Sequence, residues 1–428
     1  MKHLVTVIAA GMLSCSLLAV VPTTAVAAEG DSSRSEKRVK RVQTMREQVF
    51  KRLDTARELA DEQKYQEALE ELQDLSDMRR NSYEKAMTYN MFAYVYFNQE
   101  NYVDAIGAYE KLVAIDEIPE SLEQNTLYSL AKLHLVQEDY KKALGPLNRW
   151  FGLVDKPSAE AHVLRAQIYF QLDQYKKALP DIKFAIADVK ADGKKPRENW
   201  LMLERAIYYQ NRDYPNLARC LQDLATLYPK GQYWVQLAAV YSELGKPMKE
   251  LSTLETAYDK GLLQKENELV NLAQALLSQE VPYKAARVIE KGLKEEKIEA
   301  TARNLSLLGD AWMLAKEYDK AIVVMAKAAK ASGEGDDYFK LAQIHTERQE
   351  WKQALSNVNQ ALKDDELKNA HSARILKGLV MFNMDNLDGA EKVFAAVKAS
   401  DPDDKVANQW LSYIKSEKQR RAYMAEVR

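Results

Sequence analysis

From Val42 to Ile414 the chain reads as short stretches with apolar residues at i, i+3, i+4 and i+7, the spacing of one face of an α-helix. The stretches come in pairs, and one phrase recurs in the second member of each pair. It is an aromatic residue, two polar residues and an alanine: Tyr65 to Ala68, Tyr102 to Ala105, Tyr140 to Ala143, Tyr175 to Ala178, Tyr318 to Ala321 and Trp351 to Ala354. Looser copies run Tyr214 to Leu217, Pro282 to Ala285 and Leu387 to Ala390. About a dozen residues before the phrase stands a large residue followed by a small one, as in Phe92-Ala93, Leu130-Ala131, Leu237-Ala238, Leu272-Ala273, Leu308-Gly309 and Leu341-Ala342. Four residues after its alanine comes another apolar side chain, such as Leu72, Leu147, Ile182, Met325 or Phe394.

The period is about 33 to 39 residues, and it predicts about ten helix pairs, starting near Val49, Ala86, Gln124, Ala159, Glu198, Gly231, Glu266, Ala302, Gly335 and His371. The small residue of each first helix permits close approach of the second, with the alanine of the phrase at the crossing and its aromatic wedged against the next unit. One pair cannot bury its own apolar stripe, so pairs must stack and both ends need caps. Val406, Ala407, Trp410, Leu411 and Ile414 predict a capping helix within 403–428, running into Lys415, Lys418, Arg420, Arg421 and Arg428. At the other end 28–48 reads as a flexible leader and the start of the first helix, whose stripe opens at Val42, Met45, Val49 and Phe50. Between them lie N-terminal repeats over 49–197, divergent middle repeats over 198–301 and C-terminal repeats over 302–402, with 191–196 a loop before the divergent part.

Residues 1–27 have the form of an export signal: Lys2 and His3, an apolar run from Leu4 to Val21, and the small-residue site Ala25-Val26-Ala27. The expected location is the periplasm. Lipid anchoring through Cys15 is an alternative, although the apolar run continues past it. Cleavage leaves Cys220 alone, so no disulfide forms within the chain. No later stretch reaches the ~18 apolar residues of a membrane span.

Composition then narrows the function. Gly (15) and Pro (11) are too scarce for a turn-dense all-β fold, and a net charge of −2 lacks the cationic surplus that nucleic acid demands. The five His are scattered singly, which with two Cys excludes a multi-cysteine metal site. The chain holds no H-E-x-x-H, no phosphate-binding glycine loop and no G-x-S-x-G elbow. Gly333-Glu334-Gly335 is a turn, and the carboxylates are helix-surface charge. Cys220, between Ala218 and Leu221, reads as a buried core thiol. A non-enzyme without cofactor or metal is expected.

The period and the positions Leu305, Leu308, Gly309, Trp312, Tyr318, Ala321, Met325 and Ala328 resemble the tetratricopeptide repeat (TPR). Pro229 and Pro402 fall where that repeat closes. The resemblance implies an all-α fold, a right-handed superhelix (an α-solenoid) whose concave groove is lined by first helices and binds a protein partner. In the family's register the groove residues are Asn90, Tyr94, Phe97, Tyr128, Lys132, Gln167, Phe170, Tyr209, Asp310, Met313, Gln343 and Phe382. The set is rich in aromatics and lacks the Lys and Asn clamp that reads a C-terminal carboxylate; its aromatics either meet a ligand or pack between neighbouring first helices. Passages around Thr55 to Tyr65, Glu198 to Leu201 with Tyr228 to Trp234, and Pro282 to Val288 are similar to secreted TPR proteins associated with bacterial TonB–ExbB–ExbD systems. That similarity implies an accessory of TonB-dependent uptake of iron-siderophore or heme, with a TonB-complex or outer-membrane receptor component as partner. The alternative is a scaffold for outer-membrane or polysaccharide assembly.

Overall fold

A computed structural model describes residues 44–426. The expected export signal, the alternative anchor at Cys15, most of the leader and Arg428 lie outside the described residues. Among the described residues there are twenty-one α-helices and no strand. They divide into two compact units, the first ending at Leu227 and the second beginning at Tyr228, inside the segment that reads as divergent.

The first unit holds five helix pairs: α1–α2 (Glu47–Asp61, Tyr65–Asp77), α3–α4 (Ser82–Asn98, Tyr102–Val113), α5–α6 (Glu120–Val136, Tyr140–Leu153), α7–α8 (Ala159–Gln171, Tyr175–Ala191) and α9–α10 (Glu198–Gln210, Tyr214–Leu227). The second holds five more: α11–α12 (Gly231–Glu243, Pro247–Asp259), α13–α14 (Glu266–Ser278, Pro282–Lys294), α15–α16 (Ala302–Leu314, Tyr318–Ser332), α17–α18 (Gly335–Glu347, Trp351–Ala361) and α19–α20 (Ala370–Asn383, Leu387–Ser400). A final helix, α21 (Lys405–Glu426), follows them. Each unit is an α-solenoid, in which every helix packs on the next in the chain. The first helices also meet directly, α1 on α3, α7 on α9 and α17 on α19.

Three residues join the helices of every pair, and the middle one has a left-handed backbone. Lys316 (φ 60°) shows the geometry: its N–H donates to the Met313 carbonyl, and the Glu317 N–H donates to the Trp312 carbonyl, both at 2.9 Å. This is the Schellman arrangement, which ordinarily favours glycine. Here the residue is glycine only at Gly245; the others include Gln63, Glu100, Asp173, Arg212, Gln349 and Asp385.

The alanines of the recurring phrase, Ala68, Ala105, Ala143, Ala178, Ala321, Ala354 and Ala390, are wholly buried. A Cβ on Gly309 would stand 2.6 Å from the flexible end of Met325, at Cε, and one on Gly378 would stand 2.5 Å from the rigid Phe394 ring. In two copies the aromatic that opens the phrase meets a ring of its own pair: Tyr102 lies 5.8 Å from Phe97, and Tyr175 lies 5.4 Å from Phe170. The short turn sets it directly against the last turn of the first helix.

Polar groups at the starts of first helices tie consecutive pairs together. Glu84, fully buried, takes the Arg46 side chain at 2.9 and 2.8 Å and the Arg46 and Asn81 N–H groups at 3.0 Å each. These contacts hold its carboxyl down at about 2, the Arg46 side chain being the main cause. Glu266 accepts from Asn304 and from the Glu299 N–H, Asp337 accepts from Ser306, and His371 meets Asp404 at 2.9 Å.

The last helix caps the second unit as the sequence predicts. Ala407 and Ile414 are buried, and Trp410 stacks on Phe394 at 5.8 Å. Three of its cations are engaged within the protein: Lys418 pairs with Asp388 and Glu391, Arg420 with Glu417, and Arg421 with Asp385 and Glu417.

Candidate functional site: the face of the first helices

The groove residues inferred from the repeat register fall into two groups, one in each unit. Asn90, Tyr94 and Phe97 stand on α3, Tyr128 and Lys132 on α5, Gln167 and Phe170 on α7 and Tyr209 on α9; Asp310 and Met313 stand on α15, Gln343 on α17 and Phe382 on α19.

In the first unit, aromatic residues at the predicted positions occupy successive first helices. The Tyr94 hydroxyl donates to Asp61 at the end of α1, at 2.5 Å, and this bond with partial burial raises its pKa. Tyr128 lies 5.1 Å from Trp150, with the Lys132 ammonium 4.6 Å over its ring; burial pushes its phenol up to about 12. Phe170 is buried at 9% exposure, closed off by Tyr175. Tyr209 is 53% exposed. Asn90 and Gln167 are half-buried, and neither side chain has a hydrogen-bond partner among the described residues.

The second unit differs at the same positions. Asp310 pairs with Lys340 at 2.7 Å; burial raises its carboxyl, and its Oδ1 is buried without a partner. Lys340 also donates to Ser306, which donates to Asp337. Met313 packs against the core, and Gln343 is half-buried. Phe382 contacts Trp410 and Tyr413 of α21, at 5.1 and 5.5 Å, so its ring helps to seat the cap.

Two exposed residues escape the list of predicted positions. Phe50 belongs to the stripe that opens the first helix, yet it is 58% exposed while its neighbour Val49 is buried. It stands seven residues before Arg57 and so shares that residue's face of α1. Leu314, beside Met313, is also 58% exposed. Carrying the register one turn further along each first helix finds both.

Cys220 is buried, its thiol 3.3 Å from the Leu201 carbonyl and pushed upward chiefly by burial. Among the described residues no group of three or more His, Cys, Asp or Glu is placed to hold a metal ion, and no helix is long and apolar enough to cross a membrane.

Comparison with known proteins accords with this architecture. A tetratricopeptide-repeat family model matches residues 53–119 and 339–405, and a model for the anaphase-promoting complex (cyclosome) subunit 3 matches 98–183. The chain carries tetratricopeptide repeats, units that in general serve as scaffolds for protein interactions. Among solved structures it is similar to YrrB, a TPR protein with an unusual peptide-binding site (14% identity, covering 45% of this chain and 97% of that one, TM-score 0.38). It is also similar to a tetratricopeptide-repeat protein from Parabacteroides merdae (16%, 58% and 93%, TM-score 0.35) and to the Naa15/Naa10 structure bound to HypK-THB (14%, 86% and 66%, TM-score 0.42). No curated protein matches the chain.

Proposed function

We propose that this chain is a scaffold exported to the periplasm, where it holds a protein partner against the face of its first helices as an accessory of TonB-dependent uptake. The observation that carries the binding role is the set of Tyr94, Phe97, Tyr128 and Tyr209 on three of the five first helices of one unit, the last of them open to solvent. Large aromatic side chains of this kind supply most of the anchoring energy of protein interfaces. Export rests on the signal-like Lys2 to Ala27, and the uptake system on the passages similar to TonB-associated TPR proteins. A TonB-complex component or an outer-membrane receptor segment is the partner this reading names, in the service of iron-siderophore or heme acquisition.

Deletion and complementation test it. A strain lacking the chain is expected to grow on rich medium but to fail with a siderophore as sole iron source. The intact gene should restore growth, and a copy carrying Tyr94→Ala and Tyr209→Ala should not. Normal growth on siderophore iron together with detergent sensitivity would instead place the scaffold in envelope assembly.

A further inference from the structure

Resting on the proposal that the first helices bind a polypeptide, we infer that the binding groove belongs to the first unit and that its occupant is an extended segment of a partner protein, apolar at its anchors and free of charge. The charges beside this face are already engaged. Arg57 is held by Asp54 and Asp61, Asp61 also accepts from Tyr94, and Lys132 lies over Tyr128. A charged ligand side chain would lose hydration there without gaining an unengaged counter-ion. Uncharged groups find better partners. The open rings of Phe50 and Tyr209 can receive apolar anchors, and the unpaired amides of Asn90 and Gln167 can meet the peptide groups of an extended chain.

The second unit offers a different surface. Asp310 and Lys340 put an ion pair at the corresponding positions, and Phe382 is engaged by the cap. Length follows from geometry. Five first helices, each ~10 Å from the next, span ~40 Å, which an extended chain covers in about twelve residues.

The test selects from a library of random twelve-residue peptides against the chain from Ala28 onward. Isolated peptides are then titrated by fluorescence anisotropy at low and high salt. Enrichment in Leu, Ile, Phe and Trp with depletion of Asp, Glu, Lys and Arg is expected. Phe50→Ala or Tyr209→Ala should weaken binding at least tenfold; both side chains are exposed, so the fold should survive. Asp310→Ala and a rise in salt should each change affinity less than twofold. Selection of charged peptides that still depend on Phe50 and Tyr209 would overturn the inference and leave the proposed groove standing. Peptides that respond to Asp310→Ala but to neither aromatic would move binding to the second unit and also overturn it. No selected peptide, or none sensitive to any of these variants, would overturn the groove together with the inference.

Discussion

Individual side chains decide how closely the helices of a pair approach. Gly309 and Gly378 serve the same crossing but face different neighbours: the flexible end of Met325 in one case, the rigid ring of Phe394 in the other. Gly378→Ala is therefore expected to destabilise the protein by about 1–3 kcal/mol, because the ring has no alternative course. Gly309→Ala should cost less, since Met325 can swing aside and alanine is the better helix former by about 1 kcal/mol. Chemical denaturation of the two variants compares them, and an equal loss would contradict the difference in packing. Glu84 gives a prediction in pH. Its folded pKa, about 2, lies below the ordinary 4.5, so its ionised form supports the fold above pH ~4.5 and that support is lost as pH falls toward 2. Glu84→Gln should cost about 1–3 kcal/mol at neutral pH, and the gap from the parent should close across that acid window. A gap that stays constant from pH 7 to 2 would show that the ionised carboxylate contributes nothing.

The helices were legible in the sequence because apolar spacing and small crossing residues report directly on packing. All ten inferred starts, from Val49 to His371, fall within four residues of an observed first-helix start. The turn between paired helices was not legible. Left-handed turns are recognised by glycine, and Gln63, Glu100, Lys316 and Gln349 give no such signal. Backbone hydrogen bonds fix the turn instead, and a non-glycine residue there carries a conformational cost. Lys316→Gly and Gln349→Gly are accordingly expected each to raise stability by up to about 1 kcal/mol, measured as a shift in the urea midpoint; a loss of stability would mean that the side chains hold the turn. Phe50 escaped for a related reason: an apolar residue beside Val49 reads as core unless the register of the repeat is carried into the first pair.

For the molecule as a whole, the sequence conveyed a repetitive array with a divergent stretch over 198–301, but not the position within that stretch, between Leu227 and Tyr228, at which the chain divides. Nor did it separate the candidate site into an aromatic face in one unit and an ion-paired one in the other. The groove register alone treats Phe97 and Phe382 as equivalents, yet Phe382 meets Trp410 and Tyr413 of the capping helix and Phe97 meets Tyr102 of its own pair. Which of two aromatics is engaged by its own chain depends on partners distant in sequence, and a repeat pattern does not encode them. The central claim, that stacked helix pairs offer their first-helix face to another protein, is most directly tested by photo-crosslinking in living cells. A probe at Tyr94 or Tyr209 should yield a discrete crosslinked protein that a probe at Lys176, exposed on α8, does not. Equal crosslinking from all three positions, or none from the two tyrosine sites, would contradict the account.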